Sequence, residues 1–102
     1  MLKYTLVVND ICTVHVSKQA VRNLKKVPIY IALKLQAWID EVINSGLSET
    51  RKIRGYHDEP LKGDRVGQRS IRLNRAYRAI YIIEDENSIR FVEILEVTKH
   101  EY

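Results

Sequence analysis

Apolar residues occupy every second position at the start of the chain. Leu2, Tyr4, Leu6 and Val8 share one face of a strand spanning Leu2–Val8. Asn9-Asp10 suits a tight turn, because both side chains tolerate left-handed backbone, and Ile11–Val16 predicts a second strand. Ser17 is placed to N-cap a short helix running through Lys25, with Val21 and Leu24 on its buried side. Pro28 opens a longer helix. Its apolar residues Ile31, Leu35, Trp38, Ile39, Val42 and Ile43 fall at i, i+4, i+7, i+8, i+11 and i+12, a one-sided stripe. Gly46 is its C-terminal stop.

From Leu47 to Val66 the pattern breaks, with Gly55, Pro60 and Gly63 as punctuation, and predicts a loop with one helical turn near Glu49–Lys52. Three strand signals follow: Gln68–Leu73, Ala76–Ile83 and Ile89–Val97. Their connections, Asn74-Arg75 and Glu84–Ser88, are short enough for antiparallel hairpins. Two strands, two helices and three strands in that order predict an α+β fold. It is a twisted antiparallel sheet with the two N-terminal helices packed on one face. The other face is left to polar side chains.

The chain has 102 residues, enough for a single domain over 1–102 with one real core. Its 45% hydrophobic and 29% charged residues exclude a disordered tail, a collagen and a low-complexity array. The one cysteine, Cys12, excludes an internal disulfide framework and a cysteine-rich zinc site. No apolar run reaches the roughly 18–20 residues of a membrane span and no signal-peptide pattern opens the chain, so the expected compartment is the cytoplasm.

Charge changes the picture more than composition does. Residues 51–78 hold nine basic and three acidic residues, a net of +6, whereas residues 79–102 are net −4. A basic block beside an acidic one implies a directed field, and nucleic acid is the polyanion to expect. Arg72 and Arg78 flank a hairpin turn and are expected to approach each other. Like charges side by side favour an anion between them, and a phosphate fits because guanidinium forks bind it bidentately. Lys62, Arg65, Arg69 and Arg75 extend the cluster. The competing reading is a solvated surface, or one paired with Glu93 and Glu96, which at a spacing of three sit on opposite faces of a regular strand.

RNA cleavage by its own 2′-hydroxyl requires a base for the 2′ proton, cations for the charge building on phosphorus and an acid for the leaving 5′ oxygen. His57, in the basic loop, and His100, near the C-terminus, are the candidate imidazoles. Tyr56 and Tyr102 are candidates to stack on bases. His15, alternating within a strand, is structural. There is no P-loop, GxGxxG or HExxH motif, no two-carboxylate metal site, and no partner that activates Ser70 or Cys12 as a nucleophile.

The run from Pro60 to Asn74, with Leu61-Lys62-Gly63-Asp64-Arg65 and Gly67-Gln68-Arg69-Ser70-Ile71-Arg72, resembles the signature of the HigB-like branch of the bacterial RelE/ParE toxin superfamily. Tyr77-Arg78 stands where that branch usually has Trp-Arg, Val92-Glu93-Ile94-Leu95 is close to its last strand, and Val14 to Lys26 is similar to the strand-plus-helix opening of many RelE-type toxins. The resemblance spans about residues 11–97, with Leu2–Val8 as an added N-terminal strand. It implies a RelE-like fold and the toxin of a type II toxin–antitoxin pair, a metal-independent endoribonuclease that cuts mRNA on the translating ribosome. It implies a helix-turn-helix antitoxin as partner, operator DNA reached only through that antitoxin, and no cofactor. Arg78 matches a phosphate-binding arginine, and Lys62 and Arg65 match basic signature positions. Some members carry a catalytic His where this chain has Glu59, leaving His57 as the nearest imidazole. His100 and Tyr102 stand in for the catalytic His or Tyr with which several relatives end. Two alternatives share the fold: a ParE-like inhibitor of DNA gyrase, and a non-catalytic module that binds the antitoxin.

Overall fold

The computed structural model describes residues 10–99. The expected strand Leu2–Val8, Asn9, His100 and Tyr102 therefore lie outside the described residues. The elements are β1 (Val14–Val16), α1 (Lys18–Leu24), α2 (Ile29–Ser45), α3 (Leu47–Arg51), a 3-10 turn at Arg54–Tyr56, β2 (Glu59–Pro60), a second 3-10 turn at Gly63–Arg65, β3 (Gln68–Arg72), β4 (Tyr77–Glu86) and β5 (Ile89–Lys99). The strands form one sheet in the order β1-β5-β4-β3-β2.

The sheet is mixed rather than wholly antiparallel. β1 runs parallel to β5, with Val14 opposite Val92 and Val16 opposite Ile94, while the other pairs are antiparallel. Parallel neighbours need a long crossover, and the helices between β1 and the rest of the sheet provide it. β1 is also shorter than the Ile11–Val16 expectation, because at Ile11 the chain is bonded to the start of α3 instead of to β5. The Ile11 carbonyl accepts the Leu47 N–H at 2.9 Å and the Thr13 carbonyl accepts the Val92 N–H at 2.8 Å.

Ser17 caps α1 as expected, its hydroxyl accepting the Ala20 N–H at 3.0 Å. The same residue ties the helix to β5. Its N–H donates to the Ile94 carbonyl at 3.0 Å and its hydroxyl to the Leu95 carbonyl at 2.8 Å. That anchoring sets the helix rotation: Ala20 is fully buried, and Asn23 accepts the Val97 N–H at 3.0 Å. Val21, expected inside, is turned outward and is 44% exposed.

In α2 the stripe behaves as read, with Ile31, Leu35, Trp38, Ile39 and Val42 buried and only Ile43 left half-exposed at the edge. They pack on Ile71, Leu73, Ala79, Tyr81, Val92, Ile94 and Val97 from one face of the sheet. The Trp38 and Tyr81 rings meet with centroids 5.1 Å apart. Among the described residues no helix is long and apolar enough to cross a membrane.

Gly46 ends α2 at φ +87°, and a Cβ there would lie 2.1 Å from Asp10 Oδ2. Asp10 acts as a cap for α3 from far away in sequence. Its Oδ1 accepts the N–H of Ile11 at 2.9 Å, the N–H of Ser48 at 3.0 Å and the Ser48 hydroxyl at 3.1 Å. The Ser48 N–H above all holds the Asp10 carboxyl below the ordinary carboxylate range. Asp10→Ala is expected to lower stability at pH 7 by about 1 kcal/mol, the usual cost of a lost helix cap. A folded-state pKa below the unfolded one contributes stability at neutral pH that is lost as pH falls through it. Urea denaturation should therefore show wild type and variant converging in acid.

Candidate active site on the helix-free face of the sheet

Alternation along β3, β4 and β5 puts three rows of side chains on the face away from the helices. Arg72, Arg78 and Thr98 form one row. Glu59, Ser70, Ile80 and Glu96 form the next, and Gln68, Ile82, Glu93 and His15 the third. The β3–β4 hairpin sets the first row. Asn74 Oδ1 accepts the N–H groups of Ala76 and Tyr77, each at 2.7 Å, and closes a turn that leaves Arg72 directly opposite Arg78.

A bulge sets the second row. Ile80 pairs with Glu96 but Tyr81 pairs with Ile94, so Leu95 has no partner across the ladder. One extra residue reverses the alternation. Glu93 and Glu96, expected on opposite faces, therefore share the same one. The carbonyl of the bulged Leu95 accepts the Ser17 hydroxyl, so the helical layer holds the irregularity in place.

Arg78 lies at the centre, its side chain only 18% exposed. Its Nη1 donates to Ser70 Oγ at 2.9 Å and to Glu59 Oε2 at 3.4 Å. The other Glu59 oxygen faces His57 Nε2 at 3.4 Å. His57 gets there by taking the left-handed conformation, φ +47°, at the end of the 3-10 turn. Beside this group Arg65 pairs with Glu96, and its Nε donates to Gln68 Oε1 at 2.8 Å. A carboxylate and an imidazole thus gather at an arginine held by a buried hydroxyl, with a second arginine–carboxylate pair beside them. The set can bind a phosphate and accept a proton beside it. Among the described residues there is no group of three His, Cys, Asp or Glu side chains placed to hold a metal ion.

Of the residues expected to act, His57, Arg65, Arg72 and Arg78 meet on this face. Arg72 and Lys62 are exposed and form no ion pair with a carboxylate among the described residues. Arg75 sits exposed in the β3–β4 turn. Three arginines of the cluster are matched by carboxylates: Arg65 by Glu96, Arg78 by Glu59 and Arg69 by Asp58.

Two expectations are corrected. Arg69 does not join the cluster on the helix-free face. One residue from Ser70, it points to the helix side, where its Nε donates to Asp58 Oδ1 at 2.6 Å. Tyr56 is not a free stacking platform. Its ring is 8% exposed within the core, and Lys34 Nζ lies 5.0 Å from its centroid. Burial first, and Glu41 second, push its hydroxyl pKa up. Glu59 and Glu96 are the two members of this group that sequence reasoning misses. The legible signal for Glu59 was its place before Pro-Leu-Lys-Gly-Asp, whereas Glu96 depends on the bulge.

Beneath β2 runs a second polar network, on the helix side. Asp58, with its side chain 1% exposed, accepts from Arg69 and, through Oδ2, from the Tyr81 hydroxyl at 2.7 Å. Arg51 Nε reaches the same hydroxyl at 3.4 Å. Burial, opposed by Arg51 and reinforced by Asp58, pushes the Tyr81 pKa up to about 12. Burial works against the Arg69 proton, but the bond and charge of Asp58 outweigh it and raise the guanidinium above its ordinary value.

Comparison with known proteins agrees with this fold. No curated protein matches by sequence. Among solved structures, the toxin–antitoxin complex RelBE2 from Mycobacterium tuberculosis aligns at 30% identity and TM-score 0.55, covering 88% of this chain and 99% of that one. YafQ from E. coli aligns at 19% identity and TM-score 0.67, covering 85% and 91%. The YoeB/ParE toxin from Agrobacterium tumefaciens aligns at 18% identity and TM-score 0.65, covering 87% and 99%. The family model for the ParE toxin of the type II toxin–antitoxin system parDE matches residues 14–100. With that match running from the first described strand past the last, the chain belongs to the ParE toxin family of type II toxin–antitoxin systems, within the RelE/ParE superfamily.

Proposed function

We propose that this toxin is an endoribonuclease that cuts mRNA on the translating ribosome, in the cytoplasm, by attack of the RNA's own 2′-hydroxyl. The observation that carries the reading is the Glu59 carboxylate held between Arg78, 3.4 Å away, and His57, 3.4 Å away, with Arg72 alongside. A scissile phosphate competes with Glu59 for Arg78, since both are oxyanions on the same guanidinium. Once displaced, Glu59 is free to take the 2′ proton, directly or through His57. The 2′ oxygen bonds to phosphorus, Arg78 and Arg72 hold the added negative charge, and the bond to the 5′ oxygen breaks. That oxygen needs a proton, which we assign to His100 or Tyr102. β5 brings the chain to this end of the sheet, since Thr98 is opposite Arg78 and Lys99 opposite Tyr77. The products are a 2′,3′-cyclic phosphate and a 5′-hydroxyl. Lys62, Arg65 and Arg75 extend the contact to flanking phosphates, and the scheme calls for no cofactor.

The partner follows from the same assignment: an antitoxin with a helix-turn-helix domain, through which the complex reaches operator DNA. The RelBE2 relative is itself a toxin–antitoxin complex.

A second reading keeps the fold and changes the target to DNA gyrase, favoured by the ParE name of the matching family. The carboxylate–imidazole pair against Arg78 favours RNA, because inhibition by binding has no use for a proton acceptor. The test uses purified protein in two assays. Cleavage of mRNA on programmed ribosomes, with gyrase supercoiling untouched, is expected. Intact mRNA and blocked supercoiling would replace the nuclease reading with the second.

A further inference from the structure

We propose that Asp58, Arg69 and Tyr81 form a positioning clamp that grips β2 from the helix side and so keeps Glu59 and His57 against Arg78 on the other. The inference rests on the nuclease reading for its consequence, though the grip itself is a matter of structure.

β2 is poorly equipped to hold itself. It has two residues, one of them Pro60, which has no N–H to donate to the ladder. The neighbouring bond from the Leu61 N–H to the Gln68 carbonyl, at 2.9 Å, is the backbone tie just beyond it. On its other side His57 carries an unfavourable left-handed backbone, φ +47°, a conformation that persists only where the surroundings impose it. Asp58 lies between these two, and its carboxylate is the buried anchor. Oδ1 takes Arg69 Nε at 2.6 Å and Oδ2 takes the Tyr81 hydroxyl at 2.7 Å.

The anchor points are rigid. Arg69 and Tyr81 are directly opposite each other on β3 and β4, so the grip ties the residue preceding β2 to both strands. Tyr81 is fully buried with its ring tilted against Trp38, and Arg51 adds α3 to the same hydroxyl. Strand alternation does the rest. With Asp58 pinned inward, Glu59 must point outward, where its side chain is 43% exposed beside Arg78 and His57. The residue read from sequence as a phosphate ligand, Arg69, thus acts on the reaction from behind the sheet.

The test compares Tyr81→Phe, which keeps the ring and removes one bond to Asp58, with Asp58→Asn, Arg69→Gln and Arg69→Lys in the full chain. Amide hydrogen exchange at Leu61 is read first, because it does not depend on activity. It is expected to quicken about tenfold in Tyr81→Phe, the equivalent of one net hydrogen bond, with the amides of β4 and β5 unchanged. In ribosome-programmed cleavage, kcat is expected to fall by a similar factor with KM for RNA little changed, and Arg69→Lys is expected to recover activity that Arg69→Gln loses. Unaltered Leu61 exchange in both Tyr81→Phe and Asp58→Asn would overturn the clamp. So would a kcat loss that only tracks a general loss of folding. If the wild type cuts no RNA while Leu61 exchange still quickens, the nuclease reading fails and the grip stands.

Discussion

Alanine at position 78 should slow cleavage of ribosome-bound mRNA about 10²–10³-fold, the loss seen when one preorganised donor to a developing anion is removed. The fold should survive, because Arg78 lies on the helix-free face and outside the apolar core. Three features make this arginine the centre of the site rather than one of many. Its guanidinium is mostly buried, with 18% of the side chain exposed, so it acts where charge is poorly screened. The Ser70 hydroxyl, 2.9 Å away, fixes its orientation before substrate arrives. Arg72 is opposite it across the β3–β4 ladder, so the proposed phosphate has a second fork beside the first. Arg78→Lys keeps the charge but not the planar fork and should fall between wild type and alanine. The measurement is single-turnover cleavage alongside circular dichroism. Full activity in a folded Arg78→Ala variant would remove this residue, and the proposed charge stabilisation with it.

Trp38→Ala should cost about 3–5 kcal/mol, against the roughly 5–15 kcal/mol that a whole domain has. Trp38 is fully buried at the middle of α2, where the helix meets the sheet, and its ring packs on Tyr81. Truncation opens a cavity between the two layers and loosens the tyrosine that holds Asp58. Trp38→Phe should cost much less than its lost volume suggests. The indole Nε1 is buried with no hydrogen-bond partner among the described residues, and phenylalanine removes that unsatisfied donor. Urea unfolding followed by circular dichroism checks both substitutions. A Trp38→Ala protein as stable as wild type would mean that the core is organised elsewhere.

The parts legible in the primary structure are those set by local periodicity. The α2 stripe, the Ser17 cap, the Gly46 stop and the alternation of β3 and β4 each depend on residues a few positions apart, so spacing and side-chain type suffice to read them. So did the basic character of residues 51–78, and the motif from Pro60 to Asn74 that carried the family resemblance. α3, read as one helical turn near Glu49–Lys52, was found at Leu47–Arg51. β4 and β5 run further than read, closing at Asn87 and Ser88 with φ of +53° and +67°. Their charged ends stay in the ladder because ladder bonds belong to the backbone, and Asp85 meets Arg90 at 3.3 Å.

What local spacing could not supply was the side of the sheet on which each charge finally lies. Arg69 and Arg72 have the same chemistry and lie on the same short strand, yet one is bound to buried Asp58 and the other faces solvent opposite Arg78. Which face is covered is settled by where the helices pack, tens of residues away. Glu96 joins Glu93 only because one unpaired residue, Leu95, reverses the alternation, and that bulge is anchored by Ser17, 78 positions earlier in the chain. Composition and period thus declare the helices, most of the strands and the basic character of one stretch of the chain. The partner of each charged group is a long-range matter, because a strand's alternation says which residues share a face but not what that face will meet.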